Sequence, residues 1–137
     1  MQLRCFAYLD GFLIQIKVSS SSETGTIKAY FSGHYQSYGI NVQAACDYEC
    51  RLVYAALDSP GGANDIASLR KTKCSHVIHK LALRKFVICD NAFACSEKLL
   101  NPFSSVEKDK PAKNEFNFYL SQLRISIEQT FGIMTAK

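Results

Sequence analysis

The apolar run Phe86-Val87-Ile88 ends in Cys89-Asp90-Asn91-Ala92-Phe93. A short run of β-formers that stops on a carboxylate places an acid at the carboxyl edge of a strand, where open α/β sheets bind ligands. The residues before it read as helical, so the strand is reached by a crossover and joins a neighbour in parallel. That single run commits the chain to an α/β architecture.

The rest of the chain supplies the other strands and helices. Residues 11–18 alternate, with Phe12, Ile14, Ile16 and Val18 on one face and Leu13, Gln15 and Lys17 on the other, a strand with Asp10 at its start. The serine-rich stretch 19–26 carries no core pattern and reads as a loop. Ala29-Tyr30-Phe31 begins a second strand, interrupted near Gly33 and resumed at Ile40, where Ile40, Val42, Ala44 and Cys46 alternate with Asn41, Gln43 and Ala45. Asp47-Tyr48-Glu49 turns the chain into a third strand over 51–57, antiparallel to the second. Asp58-Ser59-Pro60-Gly61-Gly62 then stops the sheet. Asn64 or Asp65 caps a helix through Ile66 and Leu69, and a second helical piece starts near Ser75. From about Lys113, Phe116, Leu120, Leu123, Ile127 and Phe131 step by four, three, four and four, with Gly132 as the expected end. The expected order is three strands, helix, strand, helix.

A chain of 137 residues is one domain by the usual size prior, with 47% hydrophobic and 20% charged residues as in ordinary soluble proteins. The net charge of +4 permits a polyanionic partner without requiring one. Six cysteines occur without a signal peptide, so reduced, mostly buried thiols are expected. No apolar run is long enough to span a bilayer, so no membrane association is expected.

Four acids stand at structurally defined places: Asp10 opening a strand, Asp65 after Pro-Gly-Gly-Ala-Asn, Asp90 ending a strand, and Glu128 on the last helix. Glu128 follows Ile127 and so sits about 100° round from the buried stripe, with Arg124 and Ser121 on the same edge. Clustered carboxylates suit hard cations such as Mg²⁺ or Mn²⁺, and paired ions about 3.5–4 Å apart can activate an attacking oxygen and stabilise a leaving one. Each acid also has an ordinary reading. Asp65 alone reads as a helix cap, Asp10-Gly11 as a turn, and Glu128 with Arg124 as a surface pair.

Five segments taken together resemble the catalytic domain of PIF/Harbinger-type DDE transposases, the DDE superfamily endonuclease group. They are Asp10-Gly11 with its strand; Tyr30-Phe31-Ser32 leading to Asn41-Val42-Gln43; and Pro60-Gly61-Gly62-Ala63-Asn64-Asp65. Then come Asp90-Asn91-Ala92-Phe93 leading to Leu100-Asn101-Pro102-Phe103, and Phe116-Asn117 through Leu120-Ser121, Arg124 and Glu128 to Phe131-Gly132. The resemblance implies a ribonuclease H-like fold and divalent-metal cleavage of DNA, with Asp10, Asp90 and Glu128 as the acidic triad and Asp65 as a further ligand. It also implies a nuclear location, a cytoplasmic one being expected otherwise, and DNA as partner, with a separate DNA-binding protein as a further candidate partner. The chain departs from the family pattern at Phe12-Leu13, Phe93 and Gln129. Nine residues precede Asp10 and nine follow Glu128, so the helix-turn-helix that some members carry ahead of the catalytic core is expected to be missing. A copy shortened at both ends, or one put to another use as an inactive DNA-binding or protein-interaction domain, is the competing expectation.

Between Asp65 and Asp90 lie Arg70, Lys71, Lys73, Lys80, Arg84 and Lys85 with no acid, readable as a phosphate-contacting face or as a solvated one. Arg124 joins them as a DNA-contact candidate. Cys46-x3-Cys50 and Cys74-x-His76-x2-His79 contain zinc ligand types at unusual spacing, and buried free thiols are the plainer reading. Tyr30, Phe31 and Tyr35 are candidates for stacking on bases, and His34 falls in a loop without an assigned role.

Overall fold

The computed structural model describes residues 4–18, 26–104 and 110–136. Most of the serine-rich loop and part of the polar connector before the last helix lie outside them. The architecture is mixed α/β: a six-stranded sheet with helices on both faces.

The central strand β1 (Arg4–Gln15) pairs antiparallel with β3 (Ser37–Cys46) and parallel with β5 (Lys85–Ile88). β4 (Leu52–Pro60) adds to the far edge of β3, and β6 (Leu99–Leu100) runs parallel to β5. A two-residue strand β2 (Phe31–Ser32) forms a small hairpin with the start of β3, preceded by a 3-10 turn over Ile27–Tyr30. The crossover from β4 to β5 carries α1 (Asp65–Lys71) and α2 (Lys73–His79), and α3 (Pro111–Thr135) follows β6.

Burial explains why β1 is the organising strand. Ala7 and Leu9 face a core with Leu69, Ile78, Val87 and Phe93, whereas Tyr8 faces a second core with Ile88, Leu120 and Ile127. Successive side chains of a strand point to opposite faces, so these three residues are claimed alternately by the α1/α2 layer and the α3 layer. The same alternation turns Asp10 toward α3 and Gly11 toward α1.

Several expected boundaries move. β1 starts well before residue 11, leaving Asp10 inside the strand rather than at its start. Ala7, Tyr8 and Leu9 are buried on both faces, which removes the polar alternation that betrays a strand. β4 continues through Pro60, which pairs with Ile40 at the sheet edge, a place where a missing N–H is tolerated. α2 starts at Lys73 because the extended Thr72 separates it from α1. α3 runs through Gly132 to Thr135, since Gly132 keeps helical geometry and does not take up the left-handed cap expected of it. The short parallel strand β6 was not expected from sequence. No helix among the described residues is long and apolar enough to cross a membrane.

Candidate functional site

The ladder between β1 and β5 ends at the pair Tyr8↔Ile88, while β1 continues along β3 to Gln15. Beyond residue 8 one edge of β1 is therefore open. Extending the parallel register by two residues sets Asp90 beside Asp10 on the same face. A cavity of about 650 Å³ lies at this opening, lined among others by Asp10, Asp65, Asp90, His34, Tyr35 and Asn41.

Each acid is held by its own element. Asp10 Oδ1 accepts from the Gly11 N–H at 2.8 Å, and Oδ2 accepts from the Arg124 guanidinium of α3 at 3.0 Å. Burial pushes the Asp10 carboxyl above the ordinary aspartate range. The Gly11 N–H and Arg124 pull it back, while the Asp90 carboxylate adds repulsion. Asp90 Oδ1 accepts from the Ala92 N–H at 2.9 Å, which shapes the turn after β5.

Asp65 stands at the start of α1 but does not cap it. Asn64 is the cap, its side-chain oxygen accepting from the Ala67 N–H at 2.7 Å. Asp65 is thereby left to reach across to the sheet, where Oδ1 accepts from Gln43 Nε2 at 2.9 Å and Asn41 Nδ2 at 3.3 Å. Gln43 is 1% exposed, so its amide fixes the carboxylate from inside the sheet. Gly11 makes the approach possible: a Cβ there would lie 2.6 Å from Asp65 Oδ1.

The β2–β3 hairpin supplies the wall opposite the acids. Gly61 packs so closely on this region that a Cβ would meet the carbonyl oxygens of Gly39 and Tyr30, each at 2.6 Å. At the hairpin tip His34 and Tyr35 pack edge to face, with centroids 4.8 Å apart. The Tyr35 hydroxyl is raised above its ordinary range by burial first, then by Asp10, Asp65 and Asp90, although the residue as a whole is about half exposed. One phenol thus senses all three carboxylates.

Glu128 stands apart from this group. It is exposed on α3 and does not line the cavity. One turn before it, Arg124 does reach Asp10, so α3 presents a cation to the acids. The three cavity acids suit a hard divalent ion in donor chemistry. In their present placement they do not enclose one, for no three His, Cys, Asp or Glu side chains among the described residues form a group able to hold a metal. The same holds for the zinc candidates. Cys46 and Cys74 are buried, and the Cys50 thiol lies 3.4 Å from Gln129 Oε1.

Arg70, Lys71, Lys73, Lys80, Arg84 and Lys85 are all exposed. Arg70 and Lys71 close α1 at the end remote from Asp65, and Lys85 opens β5 about 17 Å of strand before Asp90. Tyr30 and Phe31 are partly exposed, and Phe31 packs on Tyr38 beneath the hairpin. Sequence reasoning leaves His34 without a role and takes Asn41 and Gln43 as parts of an alternating strand and of a resemblance segment, with no role at the site. Two amides spaced by two on a strand otherwise rich in apolar residues were the available signal, since a buried polar face needs a partner.

No curated protein and no solved structure matches the chain. The family described as DDE superfamily endonuclease matches residues 9–137, which takes in all four acids, the Gly11 contact and the hairpin wall. The chain belongs to the DDE superfamily endonucleases.

Proposed function

We propose that this domain is a divalent-metal-dependent DNA endonuclease of transposase origin, from the PIF/Harbinger branch and with ribonuclease H-like order. The observation that carries the reading is the convergence of Asp10, Asp65 and Asp90, from three separate elements, on one cavity. Asp10, Asp90 and Glu128 would hold Mg²⁺ or Mn²⁺, with Asp65 as a further ligand, and Glu128 has to turn inward to join them. The ions, when bound, supply activation of the attacking oxygen and stabilisation of the leaving one in phosphodiester cleavage by a two-metal mechanism.

The protein's own contribution is positioning. Gln43 and Asn41 aim Asp65, the Ala92 N–H aims Asp90, and the Gly11 N–H aims Asp10. His34 and Tyr35 form a wall against which a nucleotide could be ordered, since every base has a face for stacking. None of the basic residues from Arg70 to Lys85 lines the cavity, and they suit flanking duplex, with salt-dependent and sequence-blind binding. DNA is the partner, a separate DNA-binding protein a further one, and the nucleus the location.

A second reading is a domesticated domain that keeps the fold and has lost cleavage. The Arg124–Asp10 ion pair and the outward Glu128 favour it. Supercoiled plasmid incubated with the purified domain and Mn²⁺, beside Asp90→Ala, separates the two. Nicking by the wild type alone supports the nuclease. Equal nicking by both, or none by either, favours the inactive domain.

A further inference from the structure

The last helix was expected to bring an acid to the site, and it brings a guanidinium. Arg124 Nη2 lies 3.0 Å from Asp10 Oδ2, with the two side chains only 20% and 17% exposed. Arg124 Nε is fully buried and has no hydrogen-bond partner among the described residues. A buried donor left unmade is unfavourable, so another contact of the side chain has to offset that cost. What it gains is the Asp10 carboxylate, which burial and the neighbouring Asp90 make costly to leave unpaired. Asp10's other oxygen accepts from the Gly11 N–H, so each oxygen already has one donor.

Resting on the metal-dependent reading above, we propose that Arg124 is a built-in counter-ion: it neutralises Asp10 when no metal is bound, and a divalent cation binds only by displacing it. The guanidinium and the cation compete for one oxygen and repel each other at short range. Arg124 is therefore a positioning residue that sets how much metal the site requires. Because Arg124 and Glu128 sit one turn apart on the same edge of α3, a movement that withdraws the first is suited to bring the second inward.

The test is Mn²⁺ affinity by calorimetry, with thermal unfolding beside it, on the wild type, Arg124→Gln, Arg124→Met and Arg124→Lys. The two neutral variants are expected to bind Mn²⁺ about tenfold more tightly than the wild type and to gain more in Tm on adding it. Arg124→Lys, which keeps the charge, should stay near the wild type. A merely structural arginine would give the opposite result, weaker binding in every variant. Equal or weaker affinity in the neutral variants overturns the proposal while the metal-dependent reading survives. No Mn²⁺ binding by any form overturns both. Should the neutral variants not fold, the wild type decides the matter by NMR: the Arg124 Nε–H signal must shift on saturation with Mg²⁺, and an unmoved signal overturns the proposal.

Discussion

The Asp65 carboxylate fills the space that a side chain at Gly11 would need: a Cβ on residue 11 would stand 2.6 Å from Asp65 Oδ1 and 2.7 Å from Gln43 Nε2. Two elements more than fifty residues apart in sequence are thus fitted together by the absence of one carbon. The backbone of Gly11 is ordinary extended strand, so the requirement is one of space and not of dihedral freedom.

Gly11→Ala should accordingly push Asp65 away and break its bond to Gln43. Overpacking of this kind costs about 1–3 kcal/mol. Urea unfolding checks the stability, and plasmid nicking in Mn²⁺ should fall with it. A variant as stable as the wild type would show that Asp65 moves aside freely.

Asn64 and Asp65, adjacent in sequence, should separate cleanly by mutation. Asn64→Ala removes the cap of α1 and should lower stability by about 1 kcal/mol while leaving nicking largely intact. Asp65→Asn keeps both volume and cap, so unfolding should change little, yet Mn²⁺-dependent nicking should fall by at least about tenfold. The reverse pattern would return Asp65 to the role of a cap.

Asp10 makes a prediction about pH. Burial, opposed in part by Gly11 and Arg124, raises its carboxyl above the ordinary value of 3.8, so the folded protein takes up a proton that the unfolded chain has already lost. That stabilising contribution is fully present below the ordinary value and disappears as pH rises through the raised one. Asp10→Asn abolishes this titration. Wild type should therefore lose stability relative to the variant as pH rises above the ordinary aspartate value, read by urea unfolding across a pH series. A difference that does not vary with pH would contradict the shift.

The buried cysteines should be inert until the protein opens. Burial pushes the Cys74 thiol up to about 11, and burial together with Asp90 pushes Cys89 up to about 12. At about pH 8 almost none of either is thiolate, so iodoacetamide should label them only with unfolding. Cys95 is exposed and should label in the native state. Mass spectrometry of the labelled peptides reads all three. Rapid native labelling of Cys89 would place it outside the core.

Much of this was legible locally. The run Phe86-Val87-Ile88 before Asp90 marks a parallel strand, because a buried strand is continuously apolar. The steps from Phe116 to Phe131 mark the long helix, because one face must repeat every 3.6 residues. Asp10, Asp65 and Asp90, which line the cavity, stand out in the sequence by their places at turns and strand ends, whereas Glu128 on α3 does not line it. Local pattern also has definite blind spots. Ala7, Tyr8 and Leu9 are buried on both faces and show no alternation, so the sequence alone sets Asp10 at the strand's start. Asn64 and Asp65 are interchangeable as caps on paper, and only the reach of Gln43 and Asn41 from β3 decides between them. Most of all, nothing in the spacing of α3 tells whether Arg124 or Glu128 faces Asp10. The two sit 40° apart on one helix edge, and the choice is made by how α3 seats Leu120, Ile127 and Phe131 against Tyr8, Ile88 and Phe12. Sequence determined which charges are available; the packing of that helix decided which one meets the acid.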